Sequence, residues 1–210
     1  MTQSKKLTFY NWITKLLPDC RIVKAFRIWL LKRAGVKIGK NVELGEGVVI
    51  RGNGYIEIKD NVKIYDDVYI LCKPEGKVVI GNNALLATRV YIECGGVISI
   101  GENTQIMQET LLTANCGSKL IVGRDSQIAH MVSLKTSTHE IDIYGKCIAG
   151  QDRYDNITIG NGVWLCAGVL ILPGVSVGDN TIVAAGSVVT RTVEARCMVA
   201  GVPAIIKKRL

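Results

Sequence analysis

Residues 157–190 read ITIGNGVWLCAGVLILPGVSVGDNTIVAAGSVVT, and this stretch decides the fold. An aliphatic residue returns at every sixth position, at Ile159, Leu165, Ile171, Val177, Val183 and Val189. The alternative fold, an antiparallel β-sandwich with regular turns, would alternate with a period of two rather than six. We therefore predict a triangular coil whose interior is filled by each sixth side chain. A Gly or Asn nearby allows the tight corner.

The same pattern recurs along the chain as a short motif. Its first position is aliphatic, its second is usually Gly, its third is variable, and its fourth is often Asn or Asp. Its copies begin at Ile38, Ile58, Ile80, Ile100, Val122, Ile159 and Val177. They are separated by 20, 22, 20, 22, 37 and 18 residues, and 18 residues make three hexapeptides. The longer steps indicate coils with small loops, and the step of 37 indicates a coil with an insertion. One coil cannot bury its own apolar face, so the coils must stack at about 4.8 Å, one strand spacing.

The composition agrees with a packed core of small side chains. The chain has 210 residues, of which 48% are hydrophobic and 6% aromatic, with 22 Gly. We predict an all-β fold, a parallel β-helix over residues 36–206. An α-helical arm precedes it at 1–35, and a basic tail follows at 207–210.

The N-terminal arm, residues 1–35, carries most of the positive charge. It holds eight basic residues and one acid, Asp19, so it contributes +7 to the net charge of +8. The main domain therefore has no strongly basic face, and no nucleic-acid partner is expected. Asp19 is a good N-cap for a helix that Gly35 would end, and a shorter helix is predicted from about Thr8 to Leu17. The arm either covers the open first coil or lies on a membrane surface.

The seven cysteines are spread along the chain, and none forms a C-x-x-C pair. An odd number without metal-binding spacing indicates reduced thiols, a cytoplasmic location and no metal site. Cys72, Cys94 and Cys116 recur every 22 residues, which predicts a ladder of packed thiols. No signal peptide is recognisable, and no apolar run reaches the ~18 residues that a membrane span needs.

The C-terminal third resembles a known family. The stretch 157–190 and the segment Val199-Ala-Gly-Val-Pro-Ala204 are similar to the terminal coils of galactoside, maltose and bacterial polysaccharide O-acetyltransferases. These proteins belong to the hexapeptide-repeat acetyltransferase superfamily. The resemblance implies a left-handed parallel β-helix, a homotrimer, acetyl-CoA as co-substrate, and a small molecule or glycan as the acceptor.

Two residues are implied as catalytic by this resemblance. The family has a His as general base on a loop after a coil, and His139 is its match. An imidazole titrates near neutrality, which suits the removal of a proton from a sugar hydroxyl. The family also has an active-site Asn one coil earlier, which Asn115 matches; the alternative for Asn115 is a corner residue that satisfies its own turn. The second histidine, His130, is expected in packing or a subunit contact. Two His cannot form the three-His zinc site of carbonic anhydrases with this repeat.

Residues 140–156 form an insertion beside the predicted base. This insertion is expected to cover the acceptor, or else to be a mobile surface loop. Asp142 is predicted to orient His139, with Glu140 or the neighbouring Ser and Thr as alternatives. The candidate acceptor contacts in the insertion are Asp142, Tyr144, Arg153 and Tyr154.

The resemblance also implies contacts for acetyl-CoA, which the family binds in a groove between neighbouring helices of the trimer. Trp164 matches a family Trp near the pantetheine arm. Ala167 matches the position whose backbone N–H points at the thioester oxygen, an oxyanion-type role. Ala185 matches a position whose backbone groups contact pantetheine, and coil packing is its alternative role.

The nucleotide end of acetyl-CoA is expected at the last residues of the chain. Thr190 matches a family position near the nucleotide. Arg191 and Lys208 are expected to meet the phosphates by charge-assisted pairing, or else to be solvated charges. Ile205 stands where the family has an Arg, so one part of the phosphate clamp is missing.

Together these residues predict an acetyl-CoA-dependent O-acetyltransferase. Its acceptor would be a sugar hydroxyl of a bacterial surface polysaccharide or its precursor. The alternatives are transfer to an amino sugar, serine or an antibiotic, and a non-catalytic β-helix scaffold. A lipid-linked acceptor would place the enzyme in the cytoplasm at the inner face of the cell membrane, with residues 1–35 as a peripheral contact.

Overall fold

The computed structural model describes residues 2–15 and 21–210. The arm contains two helices, α1 (Gln3–Lys15) and α2 (Arg21–Arg33). The first thirteen strands are β1 (Lys37–Ile38), β2 (Glu43–Leu44), β3 (Val49–Gly52), β4 (Tyr55–Ile58), β5 (Lys63–Ile64), β6 (Tyr69–Cys72), β7 (Lys77–Ile80), β8 (Leu85–Leu86), β9 (Tyr91–Cys94), β10 (Val97–Ile100), β11 (Gln105–Ile106), β12 (Leu111–Ala114) and β13 (Lys119–Val122). The later strands are β14 (Gln127–Ile128), β15 (Ser133–Lys135), β16 (Ser137–Ile141), β17 (Cys147–Tyr154), β18 (Ile157–Ile159), β19 (Trp164–Leu165), β20 (Leu170–Ile171), β21 (Ser176–Val177), β22 (Ile182–Val183), β23 (Val188–Val189), β24 (Cys197–Ala200) and β25 (Ile205–Arg209).

The strands follow one another in sets of three and form three sheets along the domain. The first sheet has the order β1-β4-β7-β10-β13-β18-β21, and the third has the order β3-β6-β9-β12-β15-β20-β23. The second sheet runs β2-β5-β8-β11-β14-β19-β22-β24-β25. Strand pairs in these sheets are parallel, except that β25 pairs antiparallel with β24. This arrangement is a parallel β-helix, and it confirms the predicted all-β class with a helical arm.

The aliphatic residues of the seven motif copies lie in one column on the first sheet. They pair from coil to coil, from Ile38 with Ile58 through to Ile159 with Val177. From Ile58 onward, each of these side chains is at most 2% exposed. Val122 pairs with Ile159, so the step of 37 residues holds one coil and an insertion, as predicted.

Asparagine and glycine have different roles at the corner that follows each motif. Left-handed backbone, with φ from 53° to 58°, occurs at Asn41, Asn61, Asn83, Asn103 and Asp125. Each of the four Asn amides donates to the side chain one coil further on, over 2.9–3.2 Å. The motif glycines allow close approach instead. A Cβ on Gly81 would lie 2.7 Å from the amide nitrogen of Glu102 in the next coil. Asn, Asp and, in the sixth copy, Gly162 with φ of 62° therefore make the turn, and the Gly at the second place of the motif makes room between coils.

The arm closes the open end of the first coil. Leu7 of α1 is fully buried and joins the main core. Asn11 Nδ2 donates to the carbonyl oxygen of Ile50 at 2.8 Å. From α2, Arg27 donates to the carbonyl oxygen of Gly45 at 2.9 Å. The arm thus performs one of its two predicted roles, because solenoid ends need a polar cover.

The helix boundaries differ in part from the prediction. The first helix begins at Gln3 rather than near Thr8. Residues 16–20 lie outside the described residues, and with them the predicted N-cap Asp19. The second helix ends before Gly35 as predicted, and φ of this glycine is 98°. Within the described ranges, neither helix is both long and apolar enough to cross a membrane.

Two smaller expectations were wrong. Cys72 and Cys94 are buried neighbours on successive coils, but Ala114 takes the next place in their column. Cys116 is exposed at a corner, so the ladder of thiols has two members rather than three. The residues expected as a separate tail, 207–210, lie mostly in β25 and therefore belong to the second sheet.

Candidate active site

The insertion is a hairpin of β16 and β17, which leaves the β-helix after β15. It begins at Ser137, before the start of the predicted insertion 140–156. His139 lies opposite Asp152, and the pairing register slips between His139 and Ile141. Irregularities of this kind change the direction in which a side chain points and are frequent beside active sites. A hairpin rather than an irregular loop therefore carries the predicted base.

The imidazole of His139 is held by a carboxylate on the facing strand. His139 Nδ1 lies 2.7 Å from Asp152 Oδ1. Because an ionised carboxylate only accepts hydrogen bonds, a neutral imidazole in this pair has its proton on Nδ1 and its lone pair on Nε2. The second carboxylate oxygen accepts a hydrogen bond of 3.1 Å from the hydroxyl of Tyr154. The ring is thus oriented with its basic nitrogen free to accept a proton.

This pairing corrects the prediction that Asp142 orients His139. The carboxylate of Asp142 accepts hydrogen bonds from the backbone N–H groups of Tyr144 and Lys146, at 2.9 and 2.8 Å. Asp142 therefore stabilises the turn at the tip of the hairpin, where the Tyr144 side chain is 87% exposed. The structure brings neither Asp142 nor Tyr144 to the cleft described next.

A polar cleft of about 680 Å³ lies between the coils and the base of the hairpin. Its lining residues are Lys73, Glu75, Tyr91, Glu93, Gly95, Leu111, Thr113, Asn115, Cys116, Lys135, Ser137, Asp152 and Tyr154. Three of the predicted site residues lie at this cleft. Asn115 and Tyr154 line it, and His139 is connected to it by its hydrogen bond with Asp152. Arg153 does not line the cleft, and its side chain forms an ion pair of 2.8 Å with Asp155.

The cleft also contains an ion pair between Lys73 and Glu93 that the sequence analysis did not predict. Lys73 Nζ lies 2.6 Å from Glu93 Oε1 and 2.9 Å from Asn115 Oδ1. The hydrogen bond from Lys73 holds the pKa of Glu93 below its ordinary value. The signal that could have found part of this network is the spacing of Lys73 and Asn115, which equals the two local steps of the repeat, 22 and 20 residues. Asn115 is therefore part of a polar network across three coils rather than a corner residue that satisfies only its own turn.

Tyr154 links the cleft to the histidine. Hydrogen bonding to Cys116 and to Asp152 raises the pKa of Tyr154 above its ordinary value. The phenol is therefore neutral at physiological pH and donates to Asp152. This contact holds the carboxylate from the side opposite to His139.

The predicted donor residues lie on the outer surface of the last coils. Trp164 pairs with Gln127 and Ile182 on the second sheet, and its side chain is 49% exposed. Ala167 and Ala185 lie at the same corner one coil apart, since Gly186 N donates to the Ala167 carbonyl oxygen at 2.9 Å. Among the hydrogen bonds of residues 2–15 and 21–210, none is donated by the Ala167 amide. That amide is therefore available to a ligand.

The residues predicted to meet the nucleotide end are all exposed. Thr190 and Arg191 follow β23, and Lys208 lies in β25 opposite Met198. Over the described part of the chain, neither Arg191 nor Lys208 forms an ion pair. Both cations are therefore free to meet an anionic group.

The stretch that decides the fold matches a known family. Residues 156–191 match the family described as bacterial transferase hexapeptide (six repeats). The galactoside O-acetyltransferase of Escherichia coli (strain K12) is 51% identical over 47 residues, which cover 22% of this chain and 23% of the relative. That of Lactococcus lactis subsp. lactis (strain IL1403) is 33% identical over 81 residues, 38% of each chain. These matches support the hexapeptide-repeat acetyltransferase superfamily as the family that this chain resembles.

Solved structures extend the match over most of the chain. The polySia specific acetyltransferase NeuO is 28% identical with a TM-score of 0.67, over 83% of this chain and 82% of NeuO. A galactoside acetyltransferase in complex with coenzyme A is 22% identical with a TM-score of 0.59, over 99% of this chain and 80% of that one, a likeness of fold alone. The agreement confirms the left-handed parallel β-helix. In sequence, the chain spans less than half of the length of the two galactoside O-acetyltransferases that it matches.

No group of three or more His, Cys, Asp or Glu in residues 2–15 and 21–210 is placed to hold a metal ion.

Proposed function

We propose that this chain is an acetyl-CoA-dependent O-acetyltransferase that acts on a sugar hydroxyl. The observation that carries the proposal is the pair of His139 Nδ1 and Asp152 Oδ1, 2.7 Å apart beside a polar cleft. The pair leaves Nε2 of His139 as a base, and the cleft offers Asn115 and charged groups to a hydroxylated acceptor. The two galactoside O-acetyltransferases among its relatives support the same class of reaction.

In the proposed reaction, His139 is the general base. Its Nε2 removes the proton of the acceptor hydroxyl as the hydroxyl oxygen attacks the carbonyl carbon of the thioester. The N–H of Ala167 donates to the oxygen on which negative charge develops. The carbon–sulfur bond then breaks, and the imidazolium returns its proton to the sulfur of CoA. Asp152 stabilises the imidazolium between these two proton transfers.

The acceptor is proposed to be a carbohydrate of a surface polysaccharide or its precursor. The cleft of about 680 Å³ has room for a sugar ring, and the network of Lys73, Glu93 and Asn115 offers both donors and acceptors of hydrogen bonds. Hydroxyl groups have the same mixed character. NeuO is named for its specificity toward polySia, which supports a glycan acceptor for this chain. Tyr154 is the remaining candidate contact to the sugar.

The donor is proposed to lie along Trp164 and the corner of Ala167 and Ala185, with its nucleotide end near Thr190. Arg191 and Lys208 would meet the phosphates as charge-assisted partners. These groups lie on the outer face of one prism, and a groove needs a second wall. We therefore propose a homotrimer in which the neighbouring subunit supplies that wall. Because acetyl-CoA is a cytoplasmic metabolite, we place the enzyme in the cytoplasm.

The test compares two histidine variants of the purified protein. Because general-base help is worth about 10²–10⁴-fold, His139→Ala should lower the release of CoA in the presence of an acceptor by at least 100-fold. His130→Ala is the matched control and should stay within twofold of the native rate. Near-normal turnover in His139→Ala would remove this residue from the mechanism.

The acceptor class and the assembly need separate measurements. A panel of oligosaccharides, amino sugars and serine, read by mass gain, should show transfer to sugar hydroxyls; transfer only to amines would overturn O-acetylation. A protein that binds no acetyl-CoA in calorimetry would instead be a scaffold. Light scattering should give three times the subunit mass of 22.9 kDa.

A further inference from the structure

The exposed side of α2 is apolar although the helix packs on the β-helix with its other side. Ile22 is 81% exposed, Phe26 40% and Trp29 48%. These residues are spaced by four and three, so they form one row along the helix. Leu30 and Leu31, which pack toward the β-helix, are each 6% exposed. The helix therefore has a buried apolar side and a second apolar side that faces solvent.

Aromatic and cationic groups meet at the C-terminal end of this row. The rings of Phe26 and Trp29 are stacked, with centroids 5.7 Å apart and planes inclined by 18°. The guanidinium of Arg33 lies over the Trp29 ring, 5.1 Å from its centroid. Lys32 is exposed beside it. An amphipathic ring flanked by long cationic side chains is typical of helices that lie in a lipid–water interface.

Charge selects among the possible partners of this surface. The sequences of α1 and α2 contain Lys and Arg but no Asp or Glu. A contact between two copies of the row would bring like charges together, which opposes association. A bilayer with anionic lipids complements both the charge and the apolar row.

We propose that the row of Ile22, Phe26 and Trp29, with Lys32 and Arg33 at its end, docks on an anionic lipid surface. The apolar side chains enter the headgroup region, and the cations pair with lipid phosphates. The arm then has two roles at once: one side closes the first coil and the other meets the membrane. The surface is separate from the proposed acetyl-transfer site, so each proposal stands or falls alone.

The experiment measures flotation of the full-length protein with vesicles. One set contains phosphatidylcholine alone, and the other contains phosphatidylcholine with 30% phosphatidylglycerol as a chosen composition. We expect binding to the anionic vesicles, weak binding to the neutral ones, and release when NaCl rises from about 0.1 M to about 1 M, because the Debye length falls from ~10 Å to ~3 Å. Equal binding to both vesicle types, or none to either, would overturn the proposal.

Two double variants isolate the apolar row. Ile22→Ser with Trp29→Ser should lower the partition coefficient on anionic vesicles at least 10-fold. Ile143→Ser with Tyr144→Ser is the matched control, because it also removes an exposed Ile and an exposed aromatic ring, in this case at the hairpin tip. It should bind like the native chain. Equal losses in both double variants would refute a specific docking row, and a change of oligomeric state in the first would assign the row to a contact between copies. Thermal melts verify that both remain folded.

Discussion

Replacing Asp152 with Asn would remove the charge that faces His139 and keep the shape of the side chain. In the native chain, the carboxylate accepts from His139 Nδ1 at 2.7 Å and holds the proton on that nitrogen. An amide can turn its NH₂ group toward the ring instead, which favours the tautomer with the proton on Nε2. That tautomer cannot remove a proton from a hydroxyl. The substitution therefore changes both the charge and the orientation on which the proposed mechanism depends.

The expected loss follows from the imidazolium that forms beside the carboxylate during the reaction. Two unit charges about 4 Å apart attract by ~1 kcal/mol in water and by ~4 kcal/mol at an effective dielectric constant of 20. The side chains of His139 and Asp152 are 64% and 37% exposed, so solvent screens the pair. We therefore take the middle of this range, about 2 kcal/mol, as an upper value for the attraction between the imidazolium and the carboxylate. At 1.36 kcal/mol for each factor of ten, kcat should fall about 30-fold.

The assay is initial-rate kinetics with CoA release measured by chromatography, varying each substrate in turn. For Asp152→Asn we expect the loss in kcat, with KM for acetyl-CoA within twofold of the native value. Asp155→Asn is the matched control, because it removes the same charge from the same hairpin region, where Asp155 pairs with Arg153 rather than with the imidazole. Full turnover in Asp152→Asn, or equal losses in the two variants, would refute the assigned role.

Three further predictions concern the cleft, the coils and the donor surface. Lys73→Met should raise KM for the acceptor several-fold. It should also lower the melting temperature at pH 7, because Lys73 holds the pKa of Glu93 below its ordinary value. The ion pair therefore stabilises the fold at pH values above the unfolded pKa of Glu93, about 4.3. This stabilisation is lost as the pH falls through the lower pKa of the folded state. Melts at pH 7 and pH 3 check this, and an equal difference at both would contradict it. Gly81→Ala should cost about 1–3 kcal/mol in urea unfolding, because its Cβ would lie 2.7 Å from the next coil; an unchanged midpoint would count against close approach. Arg191→Ala with Lys208→Ala should raise KM for acetyl-CoA about fivefold at low salt, with kcat unchanged and a smaller effect at high salt; a fall in kcat alone would place these residues elsewhere.

The fold could be predicted because its rule is local and repeats. The aliphatic positions from Ile159 to Val189 that share the six-residue period are all at most 2% exposed. A flat sheet with one buried face would call for an aliphatic residue at every second position rather than at every sixth, so the pattern favours a triangular coil. The insertion was found by the same rule, as a step of 37 residues in an otherwise regular series. The corner chemistry was only half predicted, because Gly and Asn both favour turns and spacing does not separate their roles.

The partner of His139 depends on a feature that has no local signature. Asp142 is three residues from His139, whereas Asp152 is 13 residues away. Ile141 pairs with Cys147, and a regular hairpin counted outward from that pair would bring position 149 opposite His139. The slip in register brings Asp152 there instead. Nearness in sequence therefore favoured the wrong carboxylate.

The cleft network was missed for a different reason. Lys73, Glu93 and Asn115 lie on three successive coils, and only the stacking of those coils brings them within hydrogen-bond distance. Their residue types share no motif, and only Lys73 and Asn115 occupy equivalent positions in their coils, whereas Glu93 lies two residues earlier in its coil. A search for polar residues at repeat spacing, rather than for aliphatic ones, would have aligned Lys73 with Asn115 but not with Glu93.

The amide ladder along one edge of the β-helix runs in a single direction. Every donor nitrogen, from Asn41 to Asn103, points toward the C-terminal coils, and the last acceptor is the carboxylate of Asp125. A carboxylate accepts but cannot pass a hydrogen bond onward, so an Asp is compatible only with the final place in the series. The aligned amide dipoles also polarise one another, which makes each rung depend on those before it. The edge therefore has a start and a finish of its own, and the order of its side chains cannot be reversed.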